Sequence, residues 1–387
     1  ATDVTGRHGI AVGQSAMGTV SQGVAQSGLT VRDCDILARR TGILLGQTAS
    51  SDIHDNTIRL SQFAPGIHIR GIWLNSANAS SGWTMNIFNN TIDQMTNVDA
   101  GITAIDLGDY TYMAAHMPVR LNVFNNMICG FNFTAQSPVS DVLYRGIYYD
   151  GGSEFETAVN FNCFYNSLYL PHFPNLAYSP GNAISRRAVF AIGAPAGESE
   201  RIMDVRNNII RVEQSHAAAI VYMNYLGNTL YSGDYNDLSV DIAAGAVTGR
   251  HSVFDSVNEY PSLEDWRSSP DAPDLNSIAV DPFVPSSPYT GTWTSPDNLL
   301  FTSYHSTSLV GTPITGITTD IKGYARHPIQ PYMGCDEHVL DGIPWAAITA
   351  GPEGIVLENA EVSFKLYSIP GASCAIMVEY TTDDGAV

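Results

Sequence analysis

The chain has 387 residues, 44% hydrophobic and only 14% charged, enough for a large core and, by length, for two or three domains. Its 38 acidic against 18 basic residues give a net charge of -20 at pH 7, a field that argues against nucleic acid and anionic membranes as partners. No apolar run approaches the ~20 residues of a membrane-spanning helix, and five scattered cysteines without a CxxC pair argue against a disulfide framework or metal cluster.

In chain order, the first predicted elements are short strands led by glycine: GIAVGQ from Gly9 and GILLGQ from Gly42, preceded by RH and RT. GIWLNS from Gly71, GITAIDL from Gly101 and GIYYDGG from Gly146 follow, with AVFAIG from Ala188 and AAIVYMN from Ala218 as less regular successors. Between them stands a second pattern built on an asparagine: Asn56 in SDIHDNTIRL, Asn90 in MNIFNNTIDQ, Asn126 in LNVFNNMICG, Asn166 in FNCFYNSLYL, Asn208 in MDVRNNIIRV and Asn236 in SGDYNDLSV. An apolar residue precedes each anchor by three positions, Gly233 excepted, and another follows by two. An earlier copy, LTVRDCDIL, has Cys34 at the anchor. The two patterns alternate strictly, at spacings of 22 to 42 residues between anchors. Short strands of constant order with connections of variable length predict a chain that coils and stacks on itself.

Residues 7 to about 240 resemble a right-handed parallel β-helix of the pectin-lyase-like kind. The resemblance implies an all-β fold, a three-sheet solenoid with one strand per sheet in every coil and asparagine at the bend between the second and third strands. Asparagine tolerates the left-handed backbone of such a bend, and stacked side-chain amides can bond one another at about 4.8 Å. Seven anchors would span roughly 29 Å. Cys34 and Cys163 fall where the pattern asks for a small buried residue.

Residues 251–342 are turn-rich and resemble the closing segment of secreted bacterial β-helix domains. Asp320, Gly323 and Arg326 form a D-x-x-G-x-x-R, and Pro331, Gly334 and Glu337 a P-x-x-G-x-x-E. The resemblance implies a C-terminal cap over the open strand edges of the last coil, which would otherwise invite aggregation. In residues 343–387 the alternation of EVSFKLYS and AIMVEYT suggests the start of an immunoglobulin-like β-sandwich. With coils in 1–250, the chain reads as three parts and as a piece of a longer protein.

Site residues follow from the glycine-led strands, because the resemblance places substrate on the outer face of the first sheet. If Ile72 and Leu74 point inward, Trp73 and Asn75 point outward; the same alternation sends Tyr148 and Asp150 outward, and Tyr222 and Asn224 opposite Val221 and Met223. Trp73, Tyr148 and Tyr222 would offer flat faces to sugar rings. Glycoside hydrolysis needs two carboxylates, and Asp106 and Asp150 are the obvious pair, although counting from Gly101 and Gly146 puts them one residue out of register. A uronate lyase needs a basic group on the groove; Arg145, Arg186, Arg187 and His216 are candidates, the last three sitting just before strands. The clusters DLGDY and DYNDLSVD could hold Ca²⁺, with solvated loops the plainer reading. No Ser-His-Asp spacing, phosphate loop or HExxH motif occurs.

The expected function is therefore a secreted or cell-surface module, structural, adhesive or glycan-contacting, without catalysis and without a required cofactor. Its partners would be polysaccharide or other surface proteins, with end-to-end self-association through an open first coil. The alternative is a polysaccharide lyase or glycoside hydrolase. Ionisable side chains converging around Asp106, Arg145 and Asp150 would speak for the enzyme, and a flat uncharged face against it.

Overall fold

The computed structural model describes residues 8–12, 27–46, 48, 50–61, 66–74, 83–107, 119–134, 142–150, 159–173, 187–193, 201–214, 216–223, 229–253, 256–269, 274–280, 309–337, 345–350 and 363–367. Three long parallel sheets carry the molecule, and each pass of the chain gives one strand to each. The first contains His8–Val12, Thr41–Leu45, Ile69–Leu74, Ile102–Asp106, Tyr144–Asp150, Arg187–Gly193, Ala218–Met223 and Val247–Val253. The second contains Leu29–Arg32, Ser51–His54, Trp83–Phe88, Val119–Phe124, Val159–Phe164, Arg201–Arg206 and Thr229–Asp234. The third contains Asp35–Ala38, Thr57–Ser61, Thr91–Asn97, Met127–Ile128, Ser167–Leu170, Ile209–Val212 and Asp237–Val240. Every strand pairs with its counterpart one pass later, in parallel, which is the order of a solenoid.

Alternation along these strands explains one shared core. Ile43, Ile72, Ile105 and Ile147 enter it from the first sheet, Ile53, Ile87, Val123 and Phe161 from the second, and Ile58, Ile92, Ile128 and Leu168 from the third. Cys163 is fully buried, whereas Cys34 at the first anchor is only half-buried.

At the bend the structure divides two roles that the sequence reading gave to one asparagine. The left-handed residue is the one before the anchor: Asp33, Asp55, Asn89, Asn125, Tyr165, Asn207 and Tyr235 have φ between 52° and 60°. That turn releases the anchor side chain inward, where it finds its copy on the next coil. Asn56 Nδ2 donates to Asn90 Oδ1 at 2.9 Å, and Asn90 to Asn126, Asn126 to Asn166, Asn166 to Asn208 and Asn208 to Asn236 follow at 3.0 Å each. From Asn56 to Asn208 the backbone N–H of each anchor bonds the same oxygen, as Asn126 does at 3.0 Å, and the Asn236 N–H donates to Ser277 Oγ at 2.9 Å, so the buried amides are matched. Cys34 closes one end through its backbone N–H to Asn56 Oδ1 at 3.2 Å.

On the first sheet the alternation breaks once per strand: Ile69, Ile72 and Leu74 are all in the core while Arg70 and Trp73 are not. Gly71 occupies the break, and a Cβ there would collide with the carbonyl oxygen of Ala104. The register corrects the reading of GITAIDL. Thr103 pairs with Arg70 and Arg145, and Ile105 with Ile72 and Ile147, so Ala104, not Gly101, stands at the repeat position.

The C-terminal closure also differs from expectation. Ser256–Tyr260 turns back antiparallel on Val247–Val253, and the helix Leu263–Arg267 starts from a Ser262–Asp265 capping box and buries Trp266. Asp274 then ends the ladder, its Oδ1 accepting from Asn236 Nδ2 at 3.1 Å and its Oδ2 from Trp266 Nε1 at 2.8 Å and the Tyr231 hydroxyl at 2.9 Å. The D-x-x-G-x-x-R and P-x-x-G-x-x-E segments do something else. Arg326 bonds Glu337 at 3.1 Å and Asn125 Oδ1 at 2.8 Å while lying 3.8 Å over the Tyr165 ring. Gly334, with φ at 82°, donates to the Asn207 carbonyl at 2.7 Å. Residues 309–337 are thus a clasp strapped across the bends of three successive coils, because the left-handed residues there expose side chains and carbonyls for it to grip.

The chain divides into two compact units, Ala1–Phe301 with His305–Glu337, and Thr302–Tyr304 with His338–Val387. In the second, Trp345–Ala350 pairs antiparallel with Ser363–Tyr367.

Candidate functional site

The corrected register decides which candidate residues share the outer face of the first sheet. Arg70, Thr103 and Arg145 form one row across neighbouring strands, and Trp73, Asp106 and Tyr148 form the next. Arg70 reaches along its own strand, placing its guanidinium 4.2 Å above the Trp73 ring and its Nε 2.5 Å from Asp106 Oδ2. Arg145 repeats the gesture 3.7 Å above Tyr148. His68 contacts Thr103 Oγ1 through Nε2 at 2.9 Å. Burial, reinforced by Arg70, Arg145 and Arg40, holds its imidazole well below the ordinary histidine range, so it is neutral at pH 7.

Two of the predicted three, Asp106 and Arg145, therefore stand in adjacent rows of neighbouring strands, with Arg70 bonded to the acid and His68 to Thr103 between them. Asp106 is 2% and Arg145 7% exposed, so these two are covered, while Arg70 and His68 are half-buried. Tyr148 is not the open platform that alternation predicted: it packs with Ala218, Val221 and Val247, and Arg145 occupies its ring face. Trp73 is half-buried beneath Arg70. Tyr222 pairs with Ile192 and so falls in the row of Tyr149, one residue out of step with Tyr148; Val221 takes the place expected for it. Asp150 pairs with Gly193, two residues along from the Asp106 position, so the pair needs no register slip. The side chains of Asp150 and Tyr222, and Asn75 and Asn224 altogether, lie outside the described residues, as do Arg186 and residues 108–110 of DLGDY. His216 is exposed at a left-handed turn.

The acids of DYNDLSVD hold the chain's own cap. Asp234 accepts the Asn276 N–H at 2.7 Å and its side-chain amide at 2.8 Å, and Asp237 the Val280 N–H at 3.0 Å. Among the described residues no group of three or more His, Cys, Asp or Glu side chains is placed to hold a metal.

An open groove of about 640 Å³ lies instead on the outer face of the second sheet. Asp52, Asn86, Asn122, Asn162 and Asp204 run along its floor, one per strand. Asn86 donates to Asp52 at 2.7 Å, Asn122 to Asn86 at 2.7 Å and Asn162 to Asn122 at 2.8 Å. Beside them His54, Phe88 and Phe124 stack face to face at 4.5 and 4.8 Å, and residues 314–317 of the clasp rise as a wall. Arg120, Asn160 and Ile202 form the other side. The sequence reading missed these residues, although an N-x-F-x-N phrase ending on the anchor recurs in MNIFNN and LNVFNN, with FNCFYN in step.

No family model matches the chain, and neither a curated protein nor a solved structure matches it.

Proposed function

We propose that this chain is a secreted or surface-displayed β-helix module, right-handed and pectin-lyase-like in plan, with a structural, adhesive or glycan-contacting role and no catalysis of its own. In this reading residues 343–387 begin an immunoglobulin-like domain. The observation that carries it is the closure of the outer network on the first sheet: Asp106 is taken up by Arg70, Arg145 by Tyr148 and His68 by Thr103. Lyase and hydrolase chemistry needs an acid or base within reach of substrate, and here the acid Asp106 is both held by Arg70 and covered. The charge of -20 disfavours nucleic acid and anionic lipid and suits a neutral partner.

One observation favours the second reading, a polysaccharide lyase or glycoside hydrolase. Three arginines, Arg40, Arg70 and Arg145, surround the neutral His68 beside Asp106 on one stretch of the outer first sheet, a cationic setting suited to a uronate carboxylate.

Incubating the intact chain with acidic and neutral polysaccharides separates the two. The expected outcome is retention of polysaccharide with no new unsaturated ends and no new reducing sugars. Release of either product, lost again in Asp106→Asn, would establish the enzyme.

A further inference from the structure

Among the described residues two asparagine ladders run from coil to coil, one sealed in the core and one open to the groove. In the buried ladder the amide groups spend their hydrogen bonds on one another and on backbone. In the outer ladder they bond one another as well, but with half of their capacity left over. A side-chain amide has two N–H donors and an oxygen with two lone pairs. Asn122 uses one donor on Asn86 and one lone pair on Asn162; Asn86 likewise uses one donor on Asp52 and one lone pair on Asn122. Each therefore turns one donor and one acceptor to the groove, repeated at about 4.8 Å from coil to coil. From Asp52 to Asp204 the floor crosses four strand intervals, roughly 19 Å.

A ligand that fits this floor must both give and accept a hydrogen bond at every step, which is what a hydroxyl does. It also needs an apolar flank to lie along the edges of Phe88 and Phe124, as the C–H face of a sugar ring provides. Charge narrows the class. Arg206 is tied at 2.6 Å by two bonds to Asp204, and the two ends of the floor are carboxylates, so among the described residues lining the groove an anionic chain meets one cation, Arg120, and no cluster. An extended peptide suits the site poorly: its ~3.3 Å residue period is out of step with the floor, and a sheet face has no unpaired strand edge to extend. The groove volume lies in the range typical of ligand sites.

We infer that this groove binds a short stretch of a linear, uncharged polysaccharide lying across the strands of the second sheet. The assignment rests on the glycan-contacting reading above and locates that contact away from the first sheet. The test is isothermal titration of the intact chain with cellohexaose, mannohexaose, xylohexaose, laminarihexaose and maltohexaose, against hexagalacturonate. Two variants accompany it: Asn122→Ala removes the middle of the floor, and Thr315→Trp fills the groove from the exposed wall without touching the ladder. The expected result is that at least one neutral hexasaccharide binds, and that each variant loses tenfold or more in affinity while its melting temperature stays within a few degrees of the parent's. Neutral binding that neither variant alters overturns the groove and leaves glycan contact standing. Binding confined to hexagalacturonate overturns the groove in favour of the arginines of the first sheet. Absence of any binding overturns the groove and glycan contact together.

Discussion

At the residue scale, the doubled asparagines hold three distinct jobs within five positions. In MNIFNN, Asn86 faces the groove, Asn89 takes the left-handed turn and Asn90 enters the core. Solvent decides what each is worth. Asn126→Ala strips the Asn90 backbone N–H and side-chain amide of their acceptor and takes a donor from the Ile87 carbonyl, all in the buried interior without water to replace the loss. Such a change should cost about 2–4 kcal/mol. Asn122→Ala breaks two bonds of similar length on a half-buried surface where water can substitute, and should cost under ~1 kcal/mol. Urea midpoints of the two variants measure the contrast, and equal losses would show that the outer ladder is as structural as the inner. The inner ladder was legible because its anchors sit in a fixed register with apolar neighbours. The outer one was not, because a strand's polar alternation carries no mark that separates a solvated face from a binding one.

The elements that move the interpretation most are the glycine-led strands and the clasp. Counting from Gly101 misplaced the register of that strand, because the position held by Gly71 and Gly146 in its neighbours is held there by Ala104. The chemistry of Asp106 and Asp150 was legible as residue types but not as geometry, which the pairing of Thr103 with Arg145 supplied. The clasp residues were legible as a motif, yet their target was not, because the left-handed bends they grip are made by backbone angles. Burial pushes the Glu337 carboxyl up from 4.5 to about 7, with Arg326 pulling the other way. Burial also raises Asp320, whose Oδ2 accepts the Glu337 N–H at 2.9 Å. Between pH 4.5 and about 7 the folded clasp therefore holds a proton that the unfolded chain has given up. Its stability is full below that window, falls across it as pH rises and levels off above about 7, by about 3 kcal/mol. Hydrogen exchange across residues 309–337, corrected for intrinsic rate, should be faster at pH 8 than at pH 5. Glu337→Gln should flatten most of that difference.

Over the whole molecule, stability is distributed as in a stack in which each coil touches chiefly its neighbours, so ends and middle respond differently to the same kind of damage. The buried ladder makes this concrete, because every amide bond in it points the same way along the stack. Asp274 is its terminal acceptor and is itself fully buried, gathering donors from Asn236, Ser277, Trp266 and Tyr231. Asp274→Ala leaves four buried donors without their partner at one end only. In a molecule with a single cooperative core the cost would spread evenly. In a one-dimensional stack it should stay local: amides of Thr229–Asp234 and Asp237–Val240 exchange at least tenfold faster, while Trp83–Phe88 and Thr91–Asn97, several coils away, keep their protection. Uniform acceleration through all three sheets would overturn the stacked description and make the solenoid one cooperative unit. Local fraying would place the groove residues Asn86 and Asn122 in the most protected part of the molecule, where a rigid floor keeps its period under load from a long ligand.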